Sequence, residues 1–302
     1  MITEEINRDI LRKKKELNAV ILAHNYQSPE IHAIADIVGD SLELALAARD
    51  TCADNLIICG VVFMAETAKI LNPEKRVFIP IPEAGCPLAD YLTPDMIRKA
   101  KVNHPDANVV VYVNSSAACK SEADIVCTSG NAEKIVRSLP NKDILFGPDA
   151  NLADHVQMLL PEKQIIPMPK EGHCYVHQSF TLDDISQARN IGGKIMAHPE
   201  CPQIIRASAD IIASTGKMIQ IIQDSGENIW HIFTEEGMVK RLKTIFPDKI
   251  FYHPLHAVCK DMKKTTLNDI RSCLYTLQGE IILDTQTLKT AKKSLERMLA
   301  VQ

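Results

Sequence analysis

One pattern runs through this chain three times, at a spacing of 85 to 88 residues. Ala35-Asp36-Ile37-Val38-Gly39-Asp40-Ser41 returns as Ala123-Asp124-Ile125-Val126-Cys127-Thr128-Ser129 and again as Ala209-Asp210-Ile211-Ile212-Ala213-Ser214-Thr215. Pro73-Glu74-Lys75, Pro161-Glu162-Lys163 and Pro247-Asp248-Lys249 keep the same register. So do Thr93-Pro94-Asp95-Met96-Ile97, Thr181-Leu182-Asp183-Asp184-Ile185 and Thr266-Leu267-Asn268-Asp269-Ile270. One such match is a coincidence, but three in near-constant register identify repeated supersecondary units.

Each unit reads as strand, helix, strand, helix, strand. The opening strands, Val20–Ala23, Val109–Val113 and Lys194–Ala197, are short apolar runs of the kind buried on both faces of a parallel sheet. Helical stretches such as Leu42–Ala48 follow them. Strand–helix alternation predicts short parallel sheets with right-handed crossovers and helices on both faces. The expected fold is α/β: three similar α/β/α units about a pseudo-threefold axis, around a central active site. Residues 1–105 form the first unit, 106–191 the second, and 192–302 the third plus a C-terminal helix. Outer helices are expected near Glu5–Leu17 and Thr287–Leu299. A solenoid is the alternative, but polar strand ends suit a closed ring better.

The 302 residues carry a formal net charge of −4, 46% hydrophobic and 24% charged side chains, and 5% aromatics. There is no basic tract beyond Lys13-Lys14-Lys15, which argues against a nucleic-acid surface. No apolar run approaches the ~18 residues of a membrane span, and Met1–Glu5 lacks a signal-peptide core. Nine cysteines without a secretion signal indicate a reducing compartment, taken as the cytoplasm, rather than a disulfide framework.

The units also end alike, at Gly85-Cys86, Gly172-His173-Cys174 and Ala257-Val258-Cys259, so three of the nine cysteines share the repeat register. About a threefold axis those thiols converge. Soft thiolates select zinc, copper(I) or iron–sulfur clusters. Three thiolates leave one iron of a 4Fe–4S cluster open, a Lewis acid suited to loss of hydroxyl as water. The bland reading is three equivalent core thiols, and the serious rival is zinc with one water.

At the strand ends stand His24-Asn25-Tyr26, Tyr112-Val113-Asn114 and His198-Pro199-Glu200, polar where the preceding runs are apolar. Ligands of parallel sheets sit outside those carboxyl ends. Ser41, Ser129 and Thr215 each precede a helical run. Each is an ordinary N-cap candidate, yet a helix N-terminus also presents free N–H groups to an anion. Three such ends facing one centre would make a pocket for a small polyanion. No P-loop, dinucleotide Gly-rich turn or HExxH motif is present.

Together these residues resemble the quinolinate synthase (NadA-type) family of NAD biosynthesis, over nearly the whole chain. The resemblance is carried by His24-Asn25-Tyr26-Gln27, Gly39-Asp40-Ser41, Gly85-Cys86-Pro87-Leu88-Ala89-Asp90, Tyr112-Val113-Asn114, Thr128-Ser129-Gly130-Asn131-Ala132, Gly172-His173-Cys174, His198-Pro199-Glu200-Cys201, Ser214-Thr215-Gly216 and Cys259-Lys260-Asp261-Met262-Lys263-Lys264. It implies a 4Fe–4S cluster on Cys86, Cys174 and Cys259. It also implies a condensing and dehydrating transferase that joins iminoaspartate to dihydroxyacetone phosphate, releasing quinolinate, phosphate and water. The resemblance places the dicarboxylate on His24, Ser41, Tyr112, Asn114, Ser129, His198, Glu200 and Thr215, with Tyr26 and Glu200 in acid–base work. A further implication is functional coupling to the enzyme that makes iminoaspartate. Some members carry CxxCxxC near the third ligand. Here His253 and His256 hold the two earlier positions, so only Cys259 remains and no disulfide is available there. Cys201 lies outside the cysteine register and is left out of the ligand set. Two other classes stay open: a zinc-dependent lyase or hydrolase, and a non-catalytic iron–sulfur or redox sensor.

Overall fold

The computed structural model describes residues 2–301. Among them, twelve strands form three four-stranded sheets in which every pair is parallel. The first unit holds β1 (Ala19–His24), β2 (Ile37–Gly39), β3 (Asn55–Cys59) and β4 (Arg76–Phe78). The second holds β5 (Asn108–Tyr112), β6 (Ile125–Cys127), β7 (Asp143–Gly147) and β8 (Gln164–Pro167). The third holds β9 (Lys194–Ala197), β10 (Ile211–Ile212), β11 (Ile229–Phe233) and β12 (Ile250–Tyr252). Each sheet runs second, first, third, fourth. The expected α/β units are there, but each has four strands rather than three. The last strand is only three or four residues long, too short to show a period in sequence.

The repeated motifs turn out to be architecture. Asp36, Asp124 and Asp210 each clamp the first strand of their unit. Their carboxylates accept from Ile21 N, Val109 N and Ile195 N at 2.7, 2.8 and 2.7 Å, while their own N–H groups donate to the carbonyls of the same three residues. Lys75, Lys163 and Lys249 each donate to carbonyls at or just after a helix C-terminus: Thr51, Leu139 and Ser225. Thr93, Thr181 and Thr266 each cap a helix through the N–H three residues on, at 3.3, 3.3 and 3.4 Å.

Those capped helices close the ring. Ile97 packs with Val109 and Val111 of the second unit, and Ile185 with Ile195 and Ala197 of the third. Ile270 returns to Ile21 and Ala23 of the first. Each unit thus covers the opening strand of the next, and the third covers the first, which an open solenoid does not do. Truncating such a buried isoleucine costs about 2–5 kcal/mol, against about 0–1 kcal/mol for an exposed ion pair, so apolar seams rather than surface charges hold the ring. The outer helices span Ile2–Glu16 and Thr285–Ala300. The second lies over the first two units: Ala291, Leu295 and Met298 share a core with Ala117 and Val126, and Ser294 Oγ donates to Lys120 O at 2.8 Å. Among the described residues no helix is long and apolar enough to cross a membrane.

Candidate active site

The β2-β1-β3-β4 order places a crevice beyond the carboxyl ends of the strands in every unit. All twelve residues singled out from sequence line one cavity. They are four positions taken three times. His24 and Tyr112 end the first strands of their units and His198 directly follows that of the third, and Tyr26, Asn114 and Glu200 come two residues later. Ser41, Ser129 and Thr215 follow the second strands, and Cys86, Cys174 and Cys259 lie in the loops after the fourth.

The cysteine loops are held by one device used three times. The N–H groups of Val62, Ala150 and Glu236, each opening a helix after the third strand, donate to Ala84 O, Gly172 O and Ala257 O at 2.9, 2.8 and 2.8 Å. Each acceptor lies two residues ahead of a cysteine. In the second unit the loop passes so close that a Cβ on Gly172 would stand 2.0 Å from Pro148 O, which only glycine permits. The three thiols are half-buried and mutually within electrostatic reach. Burial pushes Cys86 up to about 12 and raises Cys174 and Cys259, Cys174 further because of the Glu200 charge. Opposing this, the N–H three residues beyond each sulfur (Ala89, His177, Met262) favours the thiolate. Such thiols stay protonated until a cation compensates the charge, which is how metal binding displaces protons. None of the other six cysteines lines the cavity: five are buried elsewhere and Cys52 is exposed.

Glu200 is a buried carboxylate on the cavity wall. Its Oε1 accepts from the Tyr112 hydroxyl, and its Oε2 lies 2.8 Å from His177 Nδ1. Burial alone would raise its carboxyl, but His177, His198 and the Tyr112 hydrogen bond hold it below the ordinary range. Asp149, buried nearby, goes the other way: burial and the Glu200 charge raise its carboxyl well above the ordinary range. Burial also lowers His24 and His198 to about 3 and raises Tyr26 and Tyr112 well above the usual phenol value. The cavity wall therefore offers neutral imidazoles and phenols, and no lysine or arginine lines it.

The three hydroxyls are not the caps. Asp40 caps the helix Ser41–Asp50 by accepting from Leu42 N and Glu43 N at 2.9 and 3.0 Å, and Asn131 and Ser214 occupy the cap positions of the other two. Ser129 Oγ instead meets His198 Nε2 at 3.2 Å, and Thr215 Oγ1 accepts from Asn25 Nδ2 at 3.0 Å. Ser41→Ala is therefore expected to shift stability by no more than about 0.5 kcal/mol. It is expected to weaken a bound dicarboxylate about tenfold, since a hydrogen bond to a charged group contributes roughly 1.5–3 kcal/mol. A quinolinate titration beside a thermal melt decides: a lower Tm at unchanged affinity would return Ser41 to a purely structural part.

Sequence reading passed over His177, Thr234, Asp149 and Glu235. His177 stacks on His198 with centroids 4.5 Å apart, and its Nε2 lies 2.8 Å from Thr234 Oγ1. Asp149 and Glu235 stand at equivalent positions after the third strands. Glu235 accepts from Cys259 N at 3.1 Å, and the Cys174 backbone hydrogen-bonds Asp149. The signal for these two was their 86-residue offset; the first unit has Val61 there.

The family model described as Quinolinate synthetase A protein matches residues 8–300. The chain is 48% identical to the quinolinate synthase of Thermococcus onnurineus over 99% of both chains. It is 47% identical to that of Pyrococcus horikoshii over 98% of both. The quinolinate synthase of Thermotoga maritima is 45% identical, over 96% of this chain and 97% of its own.

Proposed function

The chain belongs to the quinolinate synthetase A family, and we propose that it is a quinolinate synthase, joining iminoaspartate to dihydroxyacetone phosphate with release of phosphate and water. The observation that carries this reading is the cavity itself: it gathers three of nine cysteines, one from each unit, beside the buried Glu200 and a set of neutral hydrogen-bond donors. We place the reaction in NAD biosynthesis, in the cytoplasm, supplied by the enzyme that makes the unstable imine. We also take the three units to be related by a pseudo-threefold axis, divided near residues 105 and 191.

Cys86, Cys174 and Cys259 would hold a 4Fe–4S cluster. When bound, such a cluster supplies one iron without a protein ligand, a Lewis acid for loss of hydroxyl. The donor set fits. Three half-buried thiols, one from each unit, line one cavity within electrostatic reach of one another, and soft thiolates select such clusters.

The substrates' carboxylates and phosphate are received without cationic side chains. His24, Tyr112, Asn114, Ser129 and His198 offer polar atoms at strand ends, and Ser41 and Thr215 open helices whose first N–H groups favour an anion. Tyr26 and Glu200 serve the enolisation and the later proton removals, which need a positioned base and acid.

One specific observation favours a rival. Cys174, His177 and Glu200 bring ligand atoms within 4.8 Å of one another, enough for a single metal ion. Against it, the other ring nitrogen of His177 faces Thr234 and both Glu200 oxygens have neighbours, so these three groups are already engaged with one another and their surroundings. Anaerobic purification is expected to give brown protein with near-equal iron and sulfide that forms quinolinate from the two substrates. Stoichiometric zinc with neither iron nor sulfide, and no quinolinate, would overturn the reading.

A further inference from the structure

Resting on the reading above and deepening it, we propose that His32, Lys120 and Arg206 are positioning residues, which hold from behind the cavity the three turns that present Tyr26, Asn114 and Glu200. The three share the repeat register. Each stands four residues ahead of the aspartate that clamps its unit's first strand: His32 before Asp36, Lys120 before Asp124, Arg206 before Asp210. They lie on the short helices Pro29–His32, Ala117–Glu122 and Gln203–Ser208. Lys120 and Arg206 are 0% and 2% exposed, a rare burial for either residue type. Lys120 stands behind the wall: its Nζ lies 5.5 Å from the centroid of the Phe63 ring, and Phe63 lines the cavity.

The contacts repeat as the positions do. Tyr26, Asn114 and Glu200 each sit inside a short turn whose last residue folds back onto the strand end. Gln27 N donates to His24 O at 3.0 Å, Ser115 Oγ to Tyr112 O at 2.8 Å, and Cys201 N to His198 O at 3.0 Å. The basic residue then fixes the turn. Arg206 Nε donates to Cys201 O at 2.9 Å, Lys120 Nζ donates to Ser115 O, and His32 Nε2 donates to His24 O at 3.0 Å. Two residues four apart thus hold each first strand at both ends: the aspartate takes an N–H near its start, and the basic group takes a carbonyl at or beyond its finish. The strand can neither slide nor twist without breaking one of the two. A cationic donor makes such a bond roughly twice as strong as a neutral one, which gives a reason for a buried lysine and a buried arginine at these positions. The depth at which Tyr26, Asn114 and Glu200 enter the cavity is set by these bonds, and a misplacement of ~1 Å can cost on the order of 100-fold in rate.

Each basic residue acts through a different neighbour, so the losses should differ in kind. Lys120→Met removes the donor behind Tyr112 and Asn114, and is expected to weaken quinolinate binding about tenfold with kcat within about threefold of wild type. Arg206→Met removes the donor behind Glu200, and is expected to lower kcat about tenfold or more with quinolinate affinity within about threefold. Arg206→Lys keeps a cationic donor and should retain at least about a third of wild-type kcat. His32→Leu should lower kcat about tenfold through Tyr26, and His32→Gln, which keeps a donor, should bring it back to within about threefold. Iron content of anaerobic protein should stay near normal throughout, because the cysteine loops are held elsewhere, by Val62 N, Ala150 N and Glu236 N. A merely structural role would lower Tm in every variant and show neither the split between affinity and kcat nor the rescues. Lower Tm with unchanged kcat and affinity, or equal losses of both in Lys120→Met and Arg206→Met, would overturn the proposal while leaving the quinolinate reading intact. If either methionine variant fails to fold, the His32 pair decides: wild-type kcat in His32→Leu, or a His32→Gln as slow as His32→Leu, overturns the proposal alone. A wild-type protein that makes no quinolinate overturns both.

Discussion

Cys174→Ala is expected to give a folded protein without iron or sulfide, and Cys86→Ala and Cys259→Ala the same. Two thiolates cannot hold a cluster shaped for three, and each cysteine sits in its own unit with no spare thiol on the cavity wall. The fold should survive because the loops are fixed by backbone, through Ala84 O, Gly172 O and Ala257 O, and not by the sulfurs. The controls are already in the chain. Cys59 and Cys273 belong to the core that closes the third unit onto the first, and Cys52 is exposed. Changing them to Ala should cost at most about 1 kcal/mol of stability and leave iron content near normal. Iron and sulfide analysis of anaerobic protein, with the visible spectrum, reads the difference. Full iron content in Cys174→Ala would remove that residue from the ligand set.

The architecture was legible because equivalent positions carry equivalent backbone duties. An Asp that clamps a first strand, a Lys that reaches the end of a helix and a Thr that caps one are each needed once per unit, so they recur as Asp36, Asp124 and Asp210 and their companions. The cysteines and the strand-end polar residues were visible for the same reason. Besides Asp149 and Glu235, which recur in two units only, what escaped was whatever differs between units. His177 lies three residues past its cysteine, where the other units have Ala89 and Met262; Thr234 follows its third strand, where the others have Gly60 and Pro148. A residue used by one unit alone leaves no trace in a repeat. Of the two readings weighed for the hydroxyls, capping is not what Ser41 and Thr215 do: the N-cap position falls to the residue before, Asp40 and Ser214, a one-residue boundary shift concealed from sequence.

Glu200→Gln and Tyr26→Phe are expected to keep fold and cluster and to lose about 100-fold to 10,000-fold in turnover, the usual contribution of a positioned acid or base. Gln has the size of Glu and can still accept from Tyr112, but its amide cannot take a proton at neutral pH. Removing the charge also relieves the field that pushes Cys174, Tyr112 and Asp149 upward, so the variant should not lose its metal through repulsion. Phe keeps the edge-on contact of the Tyr26 ring with His24, whose centroids are 4.6 Å apart at 82°, and drops only the hydroxyl that meets Thr234. The loss should therefore appear in kcat, with iron content and Tm close to wild type. Turnover within a factor of two of wild type in both would take Tyr26 and Glu200 out of the chemistry and leave them as walls of the cavity.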